Sequence, residues 1–409
     1  MRLMTLISGA VCTLFTLYFA FTCLGGVILR KARQIPSRRP TRRIAAVIAA
    51  RNESAVIGQL IASLMAQDYP RRLFDVYVLA NNCTDDTAAV AEAAGAVVLP
   101  CDVPIRSKGD ALRCAFGQLT AMGRYDAYCV FDADNLADTQ FFRAVNDARE
   151  AGYHVAQGYR DSKNPYDSWL SGSMSVFYWF MSRFYNESRA RLNMSASLNG
   201  TGFMVSDEAI RAFGWGTHSL TEDLEFTALC ALHGYKVGWM PGARTYDEQT
   251  LRFWDSCVQR RRWTAGSLQC MKRYVPALLK KRTAASLDMA LLFMGNLLCI
   301  VGLLPAIGTV AELAPVFRAH PERLGPTILL GLGVGILYYL ACAGAATLMF
   351  KLEGRLNRRC LPAIFGFPIF MVSWMPVNLV ACLTPPPKWK EIVHTRGLDA
   401  PQTDARGGN

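Results

Sequence analysis

At 409 residues the chain has room for one domain of about 200–250 residues beside membrane segments. Its net charge of +12 would suit a nucleic-acid binder, but the basic residues cluster beside apolar segments, at 30–43, 251–282 and 351–360. That distribution argues against nucleic acid and for anionic lipid headgroups and orientation signals. Thirteen cysteines are scattered, no two closer than eleven positions and none in a Cys-x-x-Cys pair. A zinc site is thereby disfavoured, and the set reads as reduced packing residues.

Residues 4–29 carry no charge and are long enough to cross a hydrocarbon core of about 30 Å. The apolar run is too long for a signal peptide and no small-residue cleavage pattern follows, so 1–29 is expected to be a retained transmembrane helix. Seven Arg or Lys and no acid follow within 30–43, which marks a basic cytosolic linker by the positive-inside rule.

From 44 the pattern alternates strand and helix. Strands are expected at Ile44–Ala50, Phe74–Ala80, Ala96–Pro100, Tyr125–Phe131 and Tyr153–Tyr159. Between them, Ser54–Gln67 repeats apolar residues at helical spacing, and further helices are expected over 85–94, Lys108–Met122 and Asp138–Ala151, several closed by glycine. This is an α/β sheet with crossover helices, in which ligands gather at the carboxyl ends of strands. Asn81, Asp132 and Asp134 fall there. A short capped helix is expected over Ser206–Gly214. Ser219-Leu-Thr-Glu222 reads as a capping box opening a helix that ends at Gly234, with Asp223 in its first turn.

Residues 251–282 hold nine basic residues and one acid interleaved with aromatic and apolar ones, as expected of helices lying in a membrane interface. Three apolar segments follow, near 286–313, 325–350 and 361–383, the last interrupted by Pro368 and Pro376 and so a candidate for a broken or re-entrant segment. An anchor ending inside plus three full spans would leave the tail outside, yet Lys388, Trp389, Lys390, His394 and Arg396 look like a cytoplasmic, interface-hugging segment. One of the segments is therefore expected not to cross fully. The expected division is 44–250 for the α/β domain, 251–282 for interface helices, 283–384 for the C-terminal membrane region and 385–409 for the tail.

Several side-chain groups in this frame carry chemistry. Asp132 and Asp134, two apart past an apolar strand, can hold Mg²⁺ or Mn²⁺ whose remaining positions take diphosphate oxygens. Asp223 is the candidate general base, a weak one at the ordinary carboxylate pKa. Glu222 beside it is equally well explained as a first-turn acid favouring the helix dipole. Gln259, Arg262 and Trp263 share one helix face: Arg262 can bind departing phosphate oxygens, Trp263 can stack on a sugar face and Gln259 can hydrogen-bond hydroxyls. Arg260 and Arg261 read as ordinary basic positions. Lys108 can reach a phosphate, and Arg51-Asn52-Glu53 follows the first strand where a nucleoside would dock. The turn Asn199-Gly200-Thr201-Gly202 lets a sugar approach the backbone closely.

Together, Ala50-Arg-Asn-Glu53, Asp132-x-Asp134, Thr221-Glu-Asp223 and Gln259-x-x-Arg262-Trp263 resemble the membrane-embedded family 2 glycosyltransferases, which include hyaluronan, chitin, cellulose and poly-N-acetylglucosamine synthases. The resemblance covers about 44–282. It implies a GT-A (Rossmann-like) cytosolic domain fused to transmembrane and interfacial helices, a UDP-sugar donor, a divalent metal and inversion at the anomeric carbon. It assigns Glu53, Asn81, Lys108 and Asp132 to the nucleotide, Asp134 with Asp132 to the metal, and Asp223 to base catalysis. Gln259, Arg262, Trp263, Gly200, Thr201 and Glu222 fall to the acceptor end and the diphosphate. One position departs from the pattern: Asn81 stands where the family usually has an Asp touching uracil, which bears on nucleotide identity rather than on the chemistry. No cyclic-nucleotide-sensing domain is expected after the last span.

The first expectation is a multi-pass enzyme of the cell membrane, with a cytoplasmic catalytic domain, that extends and exports a polysaccharide. The alternative is addition of one sugar to a membrane lipid acceptor, favoured by the small number of spans. Polyprenyl-phosphate sugar transferases usually lack Q-x-x-R-W, and a non-enzymatic scaffold would leave these sites unexplained.

Overall fold

A computed structural model describes residues 2–32 and 35–386. The tail residues from Lys388 to Arg396 that bear on topology lie outside them.

Eight strands form one sheet: β1 Ile44–Ala50, β2 Phe74–Ala80, β3 Val97–Val98, β4 Ala127–Asp132, β5 Leu136–Ala137, β6 Val155–Ser162, β7 Phe203–Ser206 and β8 Val237–Asp247, in the order β3-β2-β1-β4-β7-β6-β8-β5. Side chains alternate across a strand, and here both faces are covered. Ala45 and Val47 of β1 join one core with Leu112, Phe116 and Leu119 of the Lys108–Met122 helix. Ile44, Ala46 and Ile48 join the other with Leu60, Ile61 and Leu64 of the Ile57–Met65 helix. Double coverage explains why β1 reads as a continuous apolar run.

The expected strands and helices through residue 160 are present, some shorter at their ends. The sheet is nevertheless mixed. β1 pairs in parallel with β2 and β4, whereas β7 runs antiparallel between β4 and β6. β7 enters from the Asn199–Gly202 turn, where Gly200 and Gly202 take φ of 87° and 62° that favour glycine. Its antiparallel course carries that turn to the carboxyl end of β4, next to Asp132. β6 and β8 run parallel, with Ser162 opposite Asp247.

The capping box expected at Ser219–Glu222 does not form. The helix is Glu222–His233, its N-cap is Thr221, and no side chain caps it. The Glu225 carboxylate instead accepts hydrogen bonds from the backbone N–H groups of His218 and Ser219, at 2.7 and 2.6 Å, and from the Tyr274 hydroxyl at 2.6 Å. Glu225, held by Tyr274 on a distant helix, thus satisfies the backbone of the turn before the helix in place of a side-chain cap. The interface segment is one helix, Phe253–Lys281. The cysteines are not all reduced: Cys101 and Cys114 form a disulfide across a Cα separation of 6.6 Å. The loop after β3 folds back along the Lys108–Met122 helix, a tertiary approach that a thirteen-residue spacing does not reveal.

Among the described residues, three helical segments are long and apolar enough to cross a membrane: Thr5–Leu29, Pro321–Leu352 and Arg358–Leu383. The 286–313 segment, expected as a span, forms two helices, Ala284–Val301 and Leu303–Ala319, that meet at Gly302. The proline-interrupted segment breaks at Ser373 into Leu361–Val372 and Trp374–Leu383. It is half buried against the rest of the protein.

Candidate active site

The parallel strands β1, β2 and β4 end together, so the residues just beyond them converge. Glu53, Asn81, Asp132 and Asp134 all line one cavity of about 1080 Å³. Asn81 is held by the end of β1: its N–H and its side-chain amide both donate to the Ala50 carbonyl, at 2.9 and 3.1 Å. Lys108 opens its helix just past the Ser107 cap and reaches across the β4 end. Its ammonium lies 2.5 Å from Asp132, 2.6 Å from the Gly200 carbonyl and 3.4 Å from Glu222. Burial opposes that charge, but the surrounding carboxylates prevail and hold Lys108 protonated well above the ordinary lysine range. Burial likewise opposes ionisation of Asp132, and the cations of Lys108, Arg160 and Arg262 overcome it, holding Asp132 below the usual carboxylate value.

Thr201 does not line the cavity. It is fully buried behind Asp132, accepting a hydrogen bond from the Asp132 N–H at 3.0 Å and donating to Asn135. Gly200 does line it, and a Cβ there would come within 3.7 Å of both Arg160 and an Asp223 carboxylate oxygen. The turn thus brings the backbone up to Asp223, as close approach to a ligand would require.

Asp223 sits in the first turn of the Glu222–His233 helix and faces the cavity. Burial, and then the adjacent Glu222 charge, push its pKa up to about 7, although the Leu224 N–H, Lys108 and Arg160 oppose the rise. The environment therefore supplies the base strength that an ordinary aspartate lacks.

Gln259, Arg262 and Trp263 all face the same cavity from the Phe253–Lys281 helix. That helix approaches the Glu222–His233 helix at Gly266, where a Cβ would stand 2.6 Å from the Thr221 hydroxyl. Trp263 stacks on Trp374 and meets Tyr178 edge-on, with centroids 6.2 Å apart in each case. Arg260 is not an ordinary basic position. It is fully buried, 4.6 Å above the Phe370 ring and hydrogen-bonded to Ser373 at 2.8 Å. It ties this helix to the broken C-terminal span.

Sequence reasoning missed Arg160, Tyr178, Asp247 and Trp374. Arg160 pairs with Asp247, donates to the Asn199 carbonyl at 2.5 Å and lies 4.0 Å above the Tyr178 ring. Burial pushes Asp247 up to about 6; Arg160 opposes the rise and Asp134 adds to it. The available signal was positional: Arg160 and Asp247 stand near the carboxyl ends of the parallel strands β6 and β8.

Buried polar atoms of cavity-lining residues without a hydrogen-bond partner among the described residues include Asn199 Nδ2, Gln249 Nε2, Gln259 Oε1 and Trp374 Nε1. Three donors and an acceptor on one cavity are complementary to a polyhydroxyl ligand.

A hard divalent cation fits the acidic end. Asp134 and Asp132 raise Asp247 by their charges, a repulsion that a cation would relieve. Among the described residues no three His, Cys, Asp or Glu side chains are grouped to hold a metal. The remaining ligands would then come from a diphosphate and water, as Mg²⁺ commonly arranges.

A profile of the family described as "Glycosyltransferase like family 2" matches residues 40–266. The chain is 26% identical over 235 residues to a beta-monoglucosyldiacylglycerol synthase of Synechocystis, covering 56% of this chain and 49% of that protein. It is 24% identical over 369 residues to a protein of the same name from Trichormus variabilis, covering 86% and 76%. The chain thus spans about half the length of the first relative and three quarters of the second. Among solved structures, a mannosyltransferase from Pyrobaculum calidifontis in complex with GDP-Man and Mn²⁺ superposes with a TM-score of 0.62 at 15% identity, covering 93% of this chain and 98% of that one. At that identity the likeness concerns the fold.

Proposed function

We propose, for a chain that belongs to the family 2-like glycosyltransferases, that it transfers a single sugar from a UDP-sugar to the hydroxyl of a membrane lipid, with inversion. The observation that carries the reading is Asp223: a carboxylate raised to about 7 shares one cavity with the Asp132–Asp134 acids and the Q-x-x-R-W face. The names of the relatives from Synechocystis and Trichormus favour a diacylglycerol-type acceptor over the polysaccharide end expected first.

In the reaction, the acceptor hydroxyl oxygen attacks the anomeric carbon from the Asp223 side. Its proton passes to Asp223 as the new carbon–oxygen bond forms, and the bond to the β-phosphate breaks on the opposite face. Glu53 and Asn81 hold the nucleoside end. Lys108 keeps Asp132 ionised and in place, while Arg262 takes charge from the departing diphosphate. Gln259, Asn199 and Trp374 offer their buried polar atoms to sugar hydroxyls, and Trp263 offers its ring face. Asp134, with Asp132, would hold Mg²⁺ or Mn²⁺, which when bound neutralises the diphosphate.

The α/β domain follows the Thr5–Leu29 span directly, and the Arg and Lys residues after Leu29 place it on the cytoplasmic side.

The test is nucleotide release by the detergent-purified protein with Mg²⁺ or Mn²⁺ across a panel of UDP-sugars, with and without diacylglycerol, and with products sized by gel and mass spectrometry. One hexose added to the lipid is expected. A ladder or smear would restore the polysaccharide reading, and lack of release with every UDP-sugar would overturn the donor assignment at Asn81.

A further inference from the structure

The catalytic cavity does not end at the sugar-binding face. Its wall includes Phe15 and Phe19 of the Thr5–Leu29 span and Leu292 and Gly295 of the Ala284–Val301 helix. Phe15 and Phe19 are one helical turn apart, with ring centroids separated by 4.6 Å, so they present one aromatic face. Gly295 stands opposite: a Cβ there would lie 3.2 Å from Phe15 Cζ. Leu224, adjacent to Asp223, and Tyr185 also line the cavity. The same space therefore touches the candidate base and two helices with apolar surface directed at lipid.

These helices are fastened to their neighbours on either side of this wall. Ser188 accepts a hydrogen bond from the Gly26 N–H at 2.9 Å, and a Cβ on Gly26 would collide with the Ser188 backbone. At the other end, Gly308 packs on Thr5, where a Cβ would stand 2.3 Å from the hydroxyl. Between them, the Tyr18 hydroxyl donates to Asp288 at 2.5 Å, and Asp288 is ion-paired with buried Arg189. Glycine contacts and a polar lock of this kind set helix spacing where apolar surface gives little preference. The spacing of the two helices at Phe15, Phe19, Leu292 and Gly295 is thus set by contacts on either side of the cavity wall.

We infer that the apolar end of the cavity, walled by Phe15, Phe19, Leu292 and Gly295, is the binding site for an acyl chain of the acceptor lipid, whose hydroxyl reaches Asp223. The inference rests on the lipid-acceptor reading above and names its hydrophobic subsite. An acyl chain is the occupant because this wall belongs in part to a candidate span, is aromatic and aliphatic, and is continuous with the cavity holding the base. A hydrated polymer would find no hydrogen-bond partners on Phe15, Phe19, Leu292 or Gly295.

The test uses the full-length protein in nanodiscs or detergent, the UDP-sugar found active, and two acceptors: 1,2-dioleoylglycerol and 1,2-dihexanoylglycerol. Gly295→Leu places a bulky side chain against Phe15 at the apolar end of the cavity. It is expected to lower kcat/KM for the dioleoyl acceptor at least tenfold more than for the dihexanoyl one. Phe19→Ala, which removes volume and is the safer variant for folding, is expected to reduce the long-chain preference by about threefold or more. A diacylglycerol with a diazirine in its acyl chain should crosslink to the peptides bearing Phe15–Phe19 and Leu292–Gly295, in competition with dioleoylglycerol. Transfer to diacylglycerol with equal effects on both acceptors, or crosslinks confined to Pro321–Leu352, overturns the acyl-chain subsite and leaves the lipid-acceptor reading standing. Polymer formation without transfer to any diacylglycerol overturns both.

Discussion

The raised pKa of Asp223 makes a quantitative prediction for kcat/KM. Two causes lead the rise to about 7: burial, and the neighbouring Glu222 charge. As a base Asp223 acts only when ionised, so the free enzyme should lose activity on the acid side of about pH 7. With that pKa, about one tenth of the enzyme is competent at pH 6 and about nine tenths at pH 8, a rate ratio near 0.1. Glu222→Gln removes the like charge while keeping shape. If the substitution lowers the Asp223 pKa by about one unit, equivalent to about 1.4 kcal/mol, the ratio rises to about 0.5. The ratio is the quantity to measure, because Glu222 also lies 3.4 Å from Lys108 and its loss can alter the absolute rate. Initial rates with limiting acceptor and saturating UDP-sugar, taken from pH 5.5 to 8.5, supply it. An acid limb centred below pH 5, or an unchanged ratio in Glu222→Gln, would refute the argument.

The same shift has a stability consequence of opposite sign. A carboxyl whose folded pKa is raised binds more protons folded than unfolded between about pH 4 and 7, so its contribution to stability falls as pH rises through that window. Asp223→Asn is accordingly expected to abolish transfer, by about 10²-fold or more, yet to retain UDP binding and to melt no lower than wild type at pH 8; a lower melting temperature would contradict the burial of its charge. Asp134→Ala should lose metal-dependent UDP binding in calorimetry, and an unchanged isotherm would remove Asp134 from the metal site. Arg160→Met leaves Asp247 buried without its cation and should cost about 3–5 kcal/mol in chemical denaturation; the double variant with Asp247→Asn should recover part of the loss. Gly266→Ala places a Cβ 2.6 Å from the Thr221 hydroxyl. It should cost about 1–3 kcal/mol and lower kcat by moving the Q-x-x-R-W face from Asp223, and full activity would show that the two helices adjust freely.

Much of the catalytic half was legible in the linear chain, because its signals are local. The apolar run Ile44–Ala50 and the helix Lys108–Met122 appear with the expected bounds. Parallel strands must end on one side, so Asn81 and Asp132 met as expected from position alone. Asp223 lay in a first helical turn, and the 259, 262, 263 spacing placed three side chains on one face. The errors share a physical cause, dependence on partners far away in sequence. The 222–233 helix lacks the expected capping box, and Glu225, held by Tyr274, binds the backbone of the preceding turn instead. Arg260 read as surface charge and is buried because Phe370 and Ser373 arrive to enclose it.

Local pattern thus determined the order of strands and helices, the apolar segments and the residue types available for metal, base and phosphate chemistry. Tertiary structure decided what those residues became. Enclosure beside Glu222 turned an ordinary aspartate into a group that titrates near neutrality. The antiparallel entry of β7 brought Gly200 to Lys108, and the packing of the N-terminal helix beside Gly295 added an aromatic and aliphatic wall to the same cavity. Each depends on desolvation and long-range packing, which arise only when distant segments exclude water from one another.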